Sequence, residues 1–350
     1  MQWYEVLGKR PRLIFLAAGL VLFAFYLALS NPFSILLEVG KFHIEPFIMA
    51  VAVNNLGLLL FAFSWYIILR SMETDLKLWE AIRVTFVSFF VVWLIPIPNG
   101  SEIIRAYLIS RKGNPEFGKA VASVVIHKSM YNISFGALIA SSAILVLVNK
   151  REIPVNNLLI LFVVVYAAAS SLIFMALLSP RFLRWLHDHM PEGVMRLIAV
   201  DPKGIGEVGD RIQRFIGEIE DAVSSLKSRI VQNILALAMV ALHWSSGSIA
   251  TYLVALSLGQ RLDVAEVFLV YAVVEFIQQL NIIIPGGVGV IDAGLTGALV
   301  LIGSPIQVAS AISLLTRLVT YWLEILLSSL FSFHYGYREA LRDYLPNAYG

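Results

Sequence analysis

Four stretches of this chain, Leu13–Leu29, Phe47–Leu69, Leu158–Leu178 and Val231–Leu258, are apolar over unusual lengths. They approach or exceed the ~20 residues that a helix needs to cross about 30 Å of hydrocarbon, whereas a buried helix of a soluble domain rarely runs so far. Charge is correspondingly scarce. Of 350 residues, 14% are charged and 59% hydrophobic, with a mean hydropathy of +0.80. A soluble domain carries roughly 25% charged residues, so this chain has too little charge to cover a water-facing surface of ordinary size. The expected fold is all-α, a polytopic membrane helix bundle, because a helix satisfies its own backbone in lipid.

Several chemistries drop out early. The chain has no cysteine, which removes disulfides, thiolate catalysis and cysteine metal sites. His187 and His189 share a charged loop without a further ligand set, so no metal and no cofactor are expected. Gly204-x-Gly206-x-x-Gly209 matches a dinucleotide fingerprint literally, but no apolar strand precedes it and the match is read as chance. No nucleic-acid partner is expected. The Met1–Leu29 segment has positive charges before an apolar run, like a signal peptide. That run exceeds the ~7–15 residues of such a signal and ends in Ser30-Asn31-Pro32, so it is read as a retained first span.

Charge placement suggests a topology. Nineteen of the 26 Lys and Arg fall in segments that one simple arrangement puts on the cytoplasmic side, four lie outside, and three (Arg105, Lys128 and Arg317) sit within apolar stretches. In this arrangement the spans are 13–30, 46–69, 117–148, 156–178, 230–258 and 306–335, with both termini cytoplasmic in a cell membrane. Residues 79–96 dive inward, break at Pro98-Asn99-Gly100 and return to the same face. Residues 264–284 do so from the other face, breaking at Pro285-Gly286-Gly287-Val288-Gly289. Eight full crossings remain open as an alternative, since 264–284 is long enough to span. The whole of 1–350 reads as one transmembrane domain: a first span in 1–45, repeat one in 46–150, a linking span and cytoplasmic amphipathic loop in 151–229, repeat two in 230–337, and a tail in 338–350. Within the loop, Ile205, Val208, Ile212, Phe215, Ile216, Ile219 and Val223 recur at helical spacing, which fits a helix on the membrane surface or against the bundle.

The two breaks align without gaps: Pro98 through Ala106 lies over Pro285 through Ala293. Each precedes a span with a basic residue in its apolar middle, Lys128 or Arg317, and the topology gives the two units opposite orientation. The expectation is therefore an inverted repeat with two broken, re-entrant helical hairpins. Interrupted segments in matching positions of two halves point to a transporter-type site. Helix starts after such breaks offer free N–H groups to an anion such as a phosphate.

Seven ionisable residues lie in or beside apolar helices: Glu102, Arg105, Lys128, Glu275, Asp292, Arg317 and Glu324. A charge at the bilayer centre costs about 2.5–3.5 kcal/mol on insertion scales, so such residues pair, line water or act. Arg105, Lys128 and Arg317 are the candidates for holding a lipid head group, in a cavity between the hairpins. Glu102, Asp292, Glu275 and Glu324 are candidate ion-pair partners or helix caps. Arg105 and Asp292 occupy aligned positions with opposite charge, which suggests a pair across the pseudo-symmetry axis. Gln278, Gln279 and Asn281 either line a polar cavity or satisfy freed backbone. Tyr321 and Trp322 read as packing or interface anchors.

Two stretches carry a family resemblance. Ile95-Pro96-Ile97-Pro98-Asn99-Gly100-Ser101-Glu102-Ile103-Ile104-Arg105 resembles a pattern of Pro, a Gly pair, then Glu and Arg. Ile284-Pro285-Gly286-Gly287-Val288-Gly289-Val290-Ile291-Asp292, with Arg317 and Trp322 downstream, resembles the pattern Pro-Gly-Gly-x-Gly-x-x-acid followed by a basic residue and Trp. Together they are similar to the flippase-like transmembrane domain of the lysylphosphatidylglycerol synthase family, as a stand-alone member without the soluble aminoacyl-transferase domain. The resemblance implies a flippase that moves an anionic, aminoacylated or polyprenyl-phosphate-linked lipid between leaflets, and no enzymatic activity. The alternatives are a membrane enzyme acting on polyprenyl phosphate, or a polar-solute or ion transporter. The expected partner is a membrane phospholipid or polyprenyl-linked lipid. A homodimer and an enzyme that makes the lipid are also compatible with this reading.

Overall fold

The computed structural model describes residues 21–28, 31–40, 42–94, 100–111, 116–150, 157–176, 179–189, 205–280 and 284–344. Among them there is no strand. A helical stretch at 21–28 is followed by α1 (Pro32–Val39), α2 (Ile44–Ser71), α3 (Leu78–Leu94), α4 (Gly100–Ser110), α5 (Phe117–Lys150), α6 (Asn157–Ala176) and α7 (Pro180–Asp188). Then come α8 (Ile205–Lys227), α9 (Ile230–Ser257), α10 (Val264–Leu280), α11 (Val290–Leu301), α12 (Ile306–Arg317) and α13 (Leu323–Tyr344). A short 3-10 turn, Pro285–Gly287, precedes α11, and a π turn, Leu318–Trp322, runs α12 into α13 without a break.

Four described helices are long and apolar enough to cross a membrane: Ile44–Ser71, Phe117–Asn149, Ile230–Ser257 and Ile306–Tyr335. Their outward faces are apolar too. On α2, Ile44, Ile48, Met49 and Leu56 are exposed while Trp65, Ile68 and Leu69 are fully buried, so the helix has no polar face to offer water. Such a surface is stable against lipid and would associate in water. Much of the first expected span lies outside the described residues. Tyr26, near its end, donates or accepts at 2.9 Å with Thr296 Oγ1 on α11, which ties that stretch to the bundle.

The helix lengths recur in order. The first series, α2, α3 and α4, has 28, 17 and 11 residues before the long α5. The second, α9, α10 and α11, has 28, 17 and 12 residues before the long α12–α13 helix. The leading helices of the two series make the most extensive pairing among the described elements. They run antiparallel: His43 N–H donates to the Ser257 carbonyl at 2.7 Å, His243 Nδ1–H to the Gly57 carbonyl at 3.1 Å, and Arg229 pairs with Glu73 at 3.2 Å. Packing is also reciprocal. Helix α3 lies on α13, with Phe86 stacked on Phe331 at 4.7 Å between centroids, while α10 lies on α5.

The amphipathic helix α8 lies against the bundle. Its Ile219, Ala222 and Leu226 are buried with Ile67 and Ile68 of α2, Met72 just after it, and Ala122 and Ile126 of α5. Glu218 accepts from the Gly118 backbone N–H at the start of α5. The first break, at Pro98 and Asn99, lies outside the described residues; α3 ends at Leu94 and α4 begins at Gly100. The second break is described, and its backbone takes three positive φ values: 61° at Gly286, 63° at Gly287 and 84° at Gly289.

The α2–α9 crossing depends on a missing side chain. A Cβ at Gly57 would strike the Ser246 side chain, whereas one at Gly217 on α8 would meet nothing within 4 Å. Ala is favoured over Gly in a helix by about 1 kcal/mol, but overpacking costs about 1–3 kcal/mol. Gly57→Ala is therefore expected to lower the Tm of the purified protein, and Gly217→Ala to leave it unchanged or raise it. Equal Tm values for the two variants would contradict this close approach.

Candidate functional site

The interrupted helix pairs and the long helices surround one cavity of about 380 Å³. Both series contribute to it: Glu102 from α4 and Lys128 from α5 on one wall, and Glu275 from α10 with Arg317 and Glu324 from the last helix on the other. Tyr131, His243 and Tyr271 add polar atoms, as do Asn54, Asn132 and Gln278, beside apolar Leu58, Phe61 and Phe89. A concave enclosure with convergent polar groups is the usual form of a ligand site.

The first wall is organised around Glu102. This residue occupies the first turn of α4, where unpaired N–H groups and the helix dipole favour a carboxylate. Ser101 Oγ donates to its Oε2 at 3.1 Å, and Lys128 Nζ stands 3.5 Å from its Oε1. Arg105, one turn along α4, approaches the same oxygen at 3.7 Å. It is fully buried behind Glu102 and does not line the cavity. Its guanidinium lies over the rings of Phe61 and Trp65, at 5.1 and 5.0 Å. Arg105 Nη1 donates to His127 Nδ1 at 3.0 Å. Because arginine can only donate, that nitrogen accepts, so Nε2–H donates to Ser64 Oγ at 2.7 Å. The Ser64 hydroxyl donates onward to the Phe61 carbonyl at 2.7 Å. Arg105 thus begins a buried string of hydrogen bonds that holds Glu102 from behind.

The second wall is organised around Arg317. Its Nη2 donates to the Gly286 carbonyl, Nη1 to Gln278 Oε1 at 3.3 Å, and Nε faces Asp292 Oδ1 at 3.6 Å. The guanidinium lies over the Tyr321 ring at 4.2 Å. Tyr321 in turn occupies the space a Cβ at Gly286 would need, which explains a glycine there beyond its φ of 61°. Asp292 does two jobs: its Oδ2 accepts from Gly289 N–H at 2.8 Å, capping α11, while Oδ1 faces Arg317. Glu275 and Tyr271 lie one turn apart on α10, and both border the cavity.

Of the three basic candidates, Lys128 and Arg317 border the cavity and Arg105 does not. The pair expected between Arg105 and Asp292 is absent among the described contacts; each basic residue pairs within its own series, with an acid in the first turn of the helix after the break. The reason is local. An acid at a helix start is held by that helix's own N–H groups, within reach of the nearest arginine. Glu102, Glu275 and Glu324 line the cavity, and so do Gln278, Gln279, Gly100, Gly286 and Gly287. Asn281 lies outside the described residues. Tyr321 is buried packing and Trp322 is half exposed. The sequence reading passed over Tyr131, Tyr271 and His243. Spacing could have found two of them, since Lys128–Tyr131 and Tyr271–Glu275 share helix faces at i,i+3 and i,i+4.

The Gly286–Tyr321 contact yields a test. Gly286→Ala should lower the Tm through both a positive φ and a clash, at about 1–3 kcal/mol for the strain alone. Adding Tyr321→Ala should not deepen the loss by the full amount of the single tyrosine variant, because the two share one contact. Fully additive losses would show that the contact carries no energy.

Comparison with known proteins fits this architecture. A family model described as "Lysylphosphatidylglycerol synthase TM region" matches residues 14–328. A UPF0104 membrane protein of Pyrococcus horikoshii is 20% identical over 299 residues, covering 81% of this chain and 85% of that one. A UPF0104 membrane protein of Methanothermobacter thermautotrophicus is 21% identical over 306 residues, covering 83% and 84%. No solved structure matches the chain. With nine-tenths of its length inside one family model, and with its paired helix series enclosing a charged cavity, the chain belongs to the family of the lysylphosphatidylglycerol synthase transmembrane region.

Proposed function

We propose that this protein is a lipid flippase of the cell membrane, with both termini cytoplasmic, that carries an anionic, aminoacylated or polyprenyl-phosphate-linked lipid between leaflets. The observation that supports this most directly is the cavity of about 380 Å³ bordered by Lys128 from one helix series and Arg317 from the other. A phosphate-sized group between them would meet cations on two sides, with its acyl or prenyl tails left in lipid. Arg105 acts as a positioning residue, holding Glu102 and through it Lys128.

The recurrence of helix lengths, the antiparallel α2–α9 seam and the reciprocal packing of α3 with α13 and α10 with α5 support an inverted repeat. In that reading α3–α4 and α10–α11 are re-entrant hairpins entering from opposite faces, and rocking of one repeat against the other exposes the site to each leaflet in turn. The protein binds lipid without converting it.

Reconstitution with a fluorescent anionic phospholipid tests this. Hydrogen bonds to charged groups contribute about 1.5–3 kcal/mol, so Lys128→Ala or Arg317→Ala should slow translocation roughly tenfold to a hundredfold. Arg105→Lys, which keeps the charge but not the fork of donors, should slow it less than Arg105→Ala. Parental rates in folded, inserted Lys128→Ala and Arg317→Ala variants would overturn the site assignment.

A further inference from the structure

The charges around the cavity are unequally divided. On the α4–α5 wall one carboxylate, Glu102, faces two cations, Arg105 and Lys128. On the opposite wall two carboxylates, Asp292 and Glu275, stand beside one described cation, Arg317. Arg317 is already committed: its three nitrogens face Asp292, Gln278 and the Gly286 carbonyl. Glu275 stands one helical turn from the Tyr271 hydroxyl, both bordering the cavity. An anion entering the cavity toward Arg317 must therefore approach a carboxylate that no described cation pairs directly.

We propose that Glu275 is a proton-binding site, and that one proton enters the cavity with each anionic head group. This deepens the flippase reading and rests on the cavity being its anion site. Like charges repel strongly in a poorly polarisable enclosure. A proton on Glu275 removes one negative charge from the anion's path and converts an acceptor into a donor for a phosphate oxygen. Anion and proton then favour each other's binding reciprocally. The step is balanced: an O–H bond forms at Glu275 with a proton from the compartment of entry and breaks on release to the compartment of exit, with no redox change. A proton gradient could thereby drive lipid movement in a chain whose sequence carries no nucleotide-binding loop.

The other groups facing this wall are less suited to the role. Glu102 already has two cations beside it, and Asp292 is engaged by a backbone N–H and Arg317. His243, from α9, donates to the Gly57 carbonyl. Tyr131 from α5, Tyr166 from α6 and Tyr271 itself bring phenol hydroxyls rather than carboxylates. Lys128 is engaged with Glu102 across the cavity, and Glu324 has a further partner of its own.

The test uses the full-length protein in detergent and glycerophosphoglycerol, a phosphodiester that keeps one negative charge between about pH 5 and about pH 8, the range bracketing a perturbed carboxyl. Binding is followed by tryptophan fluorescence, with Trp244 in the cavity wall as reporter. Proton uptake is read with a pH dye in weak buffer. The parent should take up close to one proton per probe bound, with Kd weakening by up to roughly tenfold per pH unit as pH rises. Glu275→Gln should bind with the low-pH affinity at every pH and take up no proton. Binding by the parent without proton uptake would overturn the proposal even if every variant misfolded, as would uptake retained in Glu275→Gln. Failure to bind at any pH would sink the anion-site reading itself, and this inference with it.

Discussion

The structure depends on how a backbone interrupted inside the bundle is satisfied. Each unpaired N–H or C=O buried away from water costs several kcal/mol, and the turn around Gly286–Gly289 has several that the regular helices cannot reach. Arg317 supplies the Gly286 carbonyl with a donor, Asp292 supplies the Gly289 N–H with an acceptor, and the two then face each other. Tyr321 closes the turn from below. Two charged side chains that would each be costly alone are thereby used first for backbone and only then for one another. The site's chemistry is built on this: residues that repair the break also place positive charge at the cavity wall.

The opposite wall reaches a related result by other means. There the buried guanidinium of Arg105 is spent on Glu102, two aromatic faces and the His127–Ser64 string. The cavity sees Lys128, a flexible ammonium partnered by Glu102 and by the Tyr131 ring at 4.7 Å. Arginine's rigid fork suits fixed acceptors such as a carbonyl and an amide, while lysine's long stem can exchange one carboxylate for another anion. The two series thus resemble each other in helix lengths and differ in which basic residue is free to move.

Much of the fold was legible in the sequence because it follows from length and hydropathy. Spans at 46–69, 117–148, 230–258 and 306–335 correspond to the four long apolar helices, and the Pro285–Gly289 interruption falls where glycine punctuation placed it. The seven ionisable residues in or beside apolar helices were legible for the same reason: charge in an apolar run stands out. Their pairing was not. Helix alignment put Arg105 opposite Asp292, but pairing depends on which helix start holds each acid, a three-dimensional fact. Nor does hydropathy separate Arg105 from Lys128, since only packing shows that one lies behind the cavity wall and the other borders it. Tyr131 and Tyr271 were overlooked because aromatic residues are commonplace in membrane helices, and only a nearby carboxylate or ammonium gives them a polar role.

The α2–α9 seam has a mechanical consequence. It is fastened near both ends, at His43–Ser257 and Glu73–Arg229, and pinched in the middle where Gly57 meets Ser246. Two rods held so can twist about their contact far more easily than they can part. In the transport proposed above, the seam would serve as the fulcrum about which one helix series turns on the other.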